Sequence, residues 1–149
     1  MEDISKRSLK ITRVFDAQIG ILWKVLTTPE YIKDWWGPDG FTNSIHRMEV
    51  VEGGIWEFTM HSPDGTDFEN KFTYSEIKPL SKLMLDHLNE PKFTIIITLI
   101  DKGNQTEVEW TNVFDSVPSL EEAVRAFKAD VGLKQNLERL SLYPEKSLF

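Results

Sequence analysis

The stretch GIWEFTMHSPDGTDFENKFTY, residues 54 to 74, keeps a two-residue period on both sides of a turn. A pleated strand turns that period into two distinct faces. Trp56, Phe58 and Met60 fall on one face, and Glu57, Thr59 and His61 on the other. Ser62-Pro63-Asp64-Gly65 supplies the turn, with proline preset in φ and glycine free to take a positive one. The return strand puts Phe68, Asn70, Phe72 and Tyr74 on a single face. A hairpin this aromatic on one side cannot stand in water alone. It belongs to a larger antiparallel sheet whose apolar face is covered.

The rest of the chain supplies both sheet and cover. A second hairpin joins FTIIITLI, with Phe93, Ile95, Ile97 and Leu99 on one side, to QTEVEWTNVF through Lys102-Gly103-Asn104. There Val108, Trp110 and Asn112 alternate with Glu107, Glu109 and Thr111. KLMLDHL reads as a shorter strand, and SLKITRVFDA as a first strand with a slip in alternation at Val14-Phe15. Between first strand and sheet, Ile19, Leu22, Trp23 and Leu26 mark a short helix. TPEYIKDWW marks another, with Thr28 as cap and Pro29 at its first position. Residues 119 to 142 read as one long helix opening on a Ser119/Glu122 capping box. Its stripe runs Leu120, Val124, Phe127 and Val131, then rotates near Gly132 to Leu133, Leu137 and Leu140. A glycine inside a helix marks close packing. The expected fold is α+β: a curved antiparallel sheet of about six to seven strands around a long C-terminal helix, in one domain spanning 1–149.

Composition narrows the function classes. With 24 acidic against 17 basic residues the chain carries −7, which repels a phosphate backbone and argues against nucleic acid as partner. No run reaches the roughly 18 apolar residues of a membrane span, so membrane insertion is not expected. The absence of cysteine removes thiolate metal sites and suits a cytoplasmic location, and MEDISKRSLK lacks the apolar core of an export signal. His46, His61 and His87 lie on separate segments without metal-ligand spacing, so no metal or other cofactor is expected. His61, beside the turn and off the Trp56 face, is expected to be exposed. No serine sits in a nucleophile elbow, and the chain is not expected to be an enzyme.

The segments TTPEYIKDWWGPDGFT, GGIWEFTMHSPDG, YSEIKPLSKL and TLIDKGNQTEVEWT, with VGLKQNLERL matching less well, span nearly the whole chain. In them it resembles the START-like (SRPBCC) superfamily of helix-grip proteins, and within it the branch similar to activators of heat-shock protein 90 ATPase. Three positions depart from that pattern: Val51 stands where an arginine is common, Asn112 for a histidine, and Gly132-Leu133 for glycine-tryptophan. The resemblance implies a cavity between sheet and helix that takes a small hydrophobic molecule, lipid, sterol or polyphenol-like, as carrier or sensor. It implies a chaperone partner as the alternative, and a cyclase- or hydrolase-like cavity enzyme after that.

The candidate lining is Trp36, Phe41, Trp56, Phe58, Met60, Phe72, Tyr74, His87, Ile97, Trp110, Asn112, Phe127 and Val131. Asn70, Tyr74, His87 and Asn112 are the polar groups able to orient a ligand. Of the pair Trp35-Trp36, one is expected to face inward and the other to pack against the short helices or the surface.

Overall fold

The computed structural model describes residues 4–147, with side-chain surroundings described as far as Tyr143. A 3-10 turn, Ile4–Arg7, leads into β1 (Ser8–Phe15), then α1 (Ile19–Thr27) and α2 (Pro29–Trp35). Six strands follow: β2 (Thr42–Met48), β3 (Ile55–His61), β4 (Asp67–Lys78), β5 (Lys82–His87), β6 (Phe93–Asp101) and β7 (Thr106–Phe114). They run as a meander, and β1 closes onto β7, giving a seven-stranded antiparallel sheet of order β1-β7-β6-β5-β4-β3-β2. Two helices end the described chain, α3 (Val117–Phe127) and α4 (Ala129–Ser147).

The expected alternation appears as burial. Trp56 and Phe58 on β3, Phe72 and Tyr74 on β4, Ile95, Ile97 and Leu99 on β6, and Val108 and Trp110 on β7 are all buried. Opposite them Leu22, Val25 and Leu26 of α1, Ile32 of α2, and Leu133, Leu137 and Leu140 of α4 complete one continuous core. In β1 the alternation does not slip. Phe15 is buried and Val14 exposed, so Arg13 takes the inward register. A charge is tolerated there because Arg13 pairs with Glu138 of α4 at 2.6 Å and stacks over the Phe15 ring.

The C-terminal helix differs from expectation. It is broken at Lys128, which takes the left-handed conformation (φ 52°) and donates its N–H back to Val124 O. Such a residue caps one helix and resets the phase of the next. A line through Leu120, Val124, Phe127 and Val131 therefore does not face the sheet throughout: Phe127 is 68% and Val131 45% exposed. The cap at the start is Ser116, whose side chain accepts from the Ser119 N–H, rather than Ser119 itself. The rotation to Leu133, Leu137 and Leu140 is present, and Gly132 does mark a close approach. A Cβ there would stand 3.3 Å from Pro38 Cγ.

Candidate functional site

The loop following α2 is the roof of the site, and α4 holds it by polar contacts. Gly37 N–H donates to Asn136 Oδ1 (2.9 Å), and Asp39 N–H to Gln135 Oε1 (3.1 Å). The Arg139 guanidinium donates to five carbonyls, one in the last turn of α2 and four in the loop after it: Asp34 (2.9 Å), Trp36 (3.2 Å), Gly37 (2.9 Å), Pro38 (2.7 Å) and Phe41 (3.0 Å). These include the carbonyls that the end of α2 leaves without helical partners. Burial pulls the Arg139 pKa below its ordinary value, while Asp39 and Asp34 oppose the shift. Gly37 takes φ +97°, which a side chain would strain, and a Cβ there would stand 2.8 Å from Met60 Cε.

This anchoring sets the two tryptophans. Both are buried, Trp35 at 1% and Trp36 at 7% exposure, but they face different ways. Trp35 turns toward the short helices, its indole N–H donating to Val25 O at 3.3 Å. Trp36 enters the sheet's aromatic face, edge-on to Trp56 at 4.8 Å and to Phe72 at 6.3 Å, and tilted on Trp110 at 5.7 Å. Trp56, Phe58 and Phe72 stack on one another beneath it.

Beside Trp36 lies a recess of about 270 Å³ between the sheet, the loop and the start of α4. Strands contribute Met60, Asn70, Phe72, Phe93, Ile95, Trp110 and Asn112, the loop Trp36, Gly37 and Pro38, and the helices Phe127, Ala129, Gly132, Leu133 and Asn136. Trp36, Met60, Phe72, Trp110, Asn112 and Phe127 of the expected set therefore line it. Trp56, Phe58, Tyr74 and Ile97 are buried core in the layer behind. Phe41 packs on Phe68 at 6.3 Å, outside the lining. Val131 lies on the exposed side of α4, because the break at Lys128 turns it away. Phe127 borders both this recess and a neighbouring groove of about 400 Å³ with Glu90, Pro91, Ser119, Glu122 and Ala123. It stands at the rim.

The recess carries no titratable side chain among the described residues, only three asparagines. Asn112 Oδ1 accepts the Trp110 indole N–H at 3.1 Å, and among the described residues its amide nitrogen has no hydrogen-bond partner. Asn70 touches His87, whose Nε2 lies 2.9 Å from Asn70 Oδ1 and whose Nδ1 lies 2.7 Å from the Pro91 carbonyl. His87 itself is buried between Phe72 and Phe93, so it shapes the lining through Asn70 rather than facing the recess. Burial lowers its pKa, against the opposing pull of the Pro91 carbonyl. Among the described residues no group of histidine and carboxylate side chains is arranged to hold a metal ion.

Sequence reasoning missed Asn136 and Arg139. Both are polar residues on an amphipathic helix, where a solvated face is the ordinary reading. The signal that could have found them is the Gly-Pro-Asp-Gly turn, whose backbone groups needed partners from somewhere.

A curved antiparallel sheet closed over by a C-terminal helix, with two short helices after the first strand, is the helix-grip architecture of START-like proteins. The model of the family described as Activator of Hsp90 ATPase homolog 1-like protein matches residues 16–145, and the chain belongs to that family. None of the curated proteins compared with it matches. Among solved structures, a protein from Nitrosomonas europaea superposes with a TM-score of 0.87 at 18% identity, covering 97% of each chain. One from Arthrobacter aurescens gives 0.88 at 20% identity, covering 99% of this chain and 91% of its own. The AHSA1-like protein of Aeromonas hydrophila gives 0.72 at 18%, with 92% of both chains covered. At these identities the likeness is one of fold.

Proposed function

We propose that the protein binds a small, uncharged, largely apolar molecule in the recess beside Trp36, as a carrier or sensor. The observation that carries this reading is the chemistry of the lining: aromatic and aliphatic surface with three asparagine amides and no charge. Ligand sites are mostly apolar with a few placed hydrogen-bonding groups, and the free amide nitrogen of Asn112 is such a group. The volume, about 270 Å³, sits at the small end of such sites and favours a compact planar ligand over a sterol. A lining without titratable groups supports binding rather than turnover there.

Titration with compact aromatic ketones and phenols, followed by tryptophan fluorescence and amide chemical shifts, tests this. Micromolar binding with shifts at Trp110, Asn112 and Gly132 is expected, and Asn112→Leu should weaken ligands bearing a hydrogen-bond acceptor by about tenfold. No response across the panel would sink it. The alternative, contact with a heat-shock protein 90 chaperone, is supported by the family's description, and co-purification with the chaperone separates the two.

A further inference from the structure

Two hydrogen-bonded rows of side chains cross the outer face of β2, β3 and β4, away from the recess. In the first, Ser44 Oγ lies 2.8 Å from His61 Nε2, and His61 Nδ1 lies 2.7 Å from Asp67 Oδ1. In the second, His46 Nε2 lies 2.8 Å from Thr59 Oγ1, and Thr59 donates to Glu69 Oε1 at 2.9 Å. Strand register builds both: Ser44 sits opposite Thr59, and His61 is opposite Thr42 on one side and Asp67 on the other. A bulge between Ile45 and Arg47 re-aims the edge strand beside them.

The rows look alike but run with opposite polarity. A carboxylate only accepts, so Asp67 fixes the His61 proton on Nδ1. Nε2 is then bare and takes the Ser44 hydroxyl proton as its hydrogen bond. In the second row the single Thr59 proton goes to Glu69, so His46 Nε2 must be the donor and cannot take a proton from the threonine. Only the first row orders nucleophile, base and orienting carboxylate in the sense that activates a hydroxyl.

We propose that Ser44 is an activated nucleophile that accepts acyl groups from activated esters, with His61 as base and Asp67 as its positioning residue. Ser44 Oγ bonds to the acyl carbon as its proton passes to His61 Nε2. The bond to the leaving oxygen then breaks, and that oxygen departs with the proton held by His61. Water deprotonated by the same nitrogen hydrolyses the serine ester, releasing the carboxylic acid and restoring Ser44. Ser44 is exposed, and the His61 and Asp67 side chains are 35% and 59% exposed, so the donor is not enclosed. That restricts the reaction to small acyl groups on weakly basic leaving groups such as phenolates. This site is independent of the recess on the other face.

The test uses the full chain and p-nitrophenyl acetate, with the modified residues mapped by peptide mass spectrometry. Ser44 should acetylate at least about a hundredfold faster than exposed Ser81, which has no histidine partner, the low end of what a positioned base contributes. Ser44→Ala should abolish the stoichiometric release of p-nitrophenol, and His61→Ala should lose it until imidazole is added. Asp67→Asn should slow it, with partial recovery in Asp67→Glu, while His46→Ala leaves it unchanged. Acetylation confined to lysines and the amino terminus, or Ser44 labelling no faster than Ser81 or indifferent to His61→Ala, would overturn the proposal and leave a cross-strand polar ladder.

Discussion

The Arg139 guanidinium on α4 lies 2.7 Å from the carbonyl of Pro38, one of five carbonyls it reaches in the last turn of α2 and the loop after it. A planar fork with several N–H groups can do this, and a lysine ammonium cannot. Arg139→Lys should therefore destabilise the protein by about 2–3 kcal/mol and Arg139→Ala by about 3–5 kcal/mol, through carbonyls left without donors. Urea denaturation gives the magnitudes. Faster amide exchange at Gly37 and Asp39 should accompany them, since Asn136 and Gln135 hold those N–H groups from the same helix.

Two glycines should respond oppositely to alanine. A Cβ at Gly54 would stand 2.1 Å from the Glu49 carbonyl oxygen, and neither backbone segment can yield without disturbing the β2–β3 connection. Gly54→Ala should cost at least about 2 kcal/mol. Gly20 lies inside α1, and a Cβ added there would meet nothing within 4 Å, so the same change should gain about 0.5–1 kcal/mol. Thermal midpoints moving in the same direction would show that one of these environments is not as described.

His87 makes stability depend on pH. Its folded pKa is lowered, chiefly by burial, so the unfolded chain binds the proton more readily than the native one. Its contribution is fully present above the ordinary value of 6.5 and is lost as pH falls from there through the folded pKa. Nδ1 faces the Pro91 carbonyl and Nε2 faces Asn70 Oδ1, while Asn70 Nδ2 donates to the Phe68 carbonyl, so a neutral ring donates to only one of its two acceptors. Stability measured from pH 7.5 to 5 should decline in the wild type and decline less in His87→Asn. Parallel curves would assign the pH dependence to other groups.

Phe127 and Trp36 both border the recess and should behave differently when truncated. Trp36→Ala empties the centre of the aromatic cluster and should cost about 3–5 kcal/mol. Phe127, exposed at the rim, should cost less than about 1 kcal/mol as alanine while changing how fast a ligand enters and leaves. Val131→Phe, on the exposed side of α4, should alter neither stability nor binding. Equal destabilisation at 36 and 127 by chemical denaturation would contradict the rim position.

The sheet was legible because side-chain period and burial coincide there. Trp56, Phe58, Phe72 and Tyr74 show the pattern of one face in the sequence and are one buried face in the fold. The break at Lys128 was not legible, since lysine gives no signal for a left-handed residue and only tertiary packing selects it. That one residue displaced Val131 from the expected lining and left Phe127 at its rim. Asn136 and Arg139 were hidden by looking like an ordinary wet helix face. The row Ser44–His61–Asp67 was hidden for another reason: its members are brought together by the register of three strands, which alternation alone does not specify.

Trp35, Trp36, Trp56 and Trp110 form a chain of ring contacts between 4.8 and 6.4 Å, and among the described aromatic pairs Trp23 stands outside it. Indoles this close and held at fixed angles do not absorb independently; their transitions mix, and the sign and shape of the near-ultraviolet dichroism become properties of the group. Trp36 touches all three of the others, so a small rotation of its ring re-phases the whole band rather than subtracting one residue's share. The loop clasped by Arg139 thus carries a built-in optical readout of its own position, legible in solution without any label.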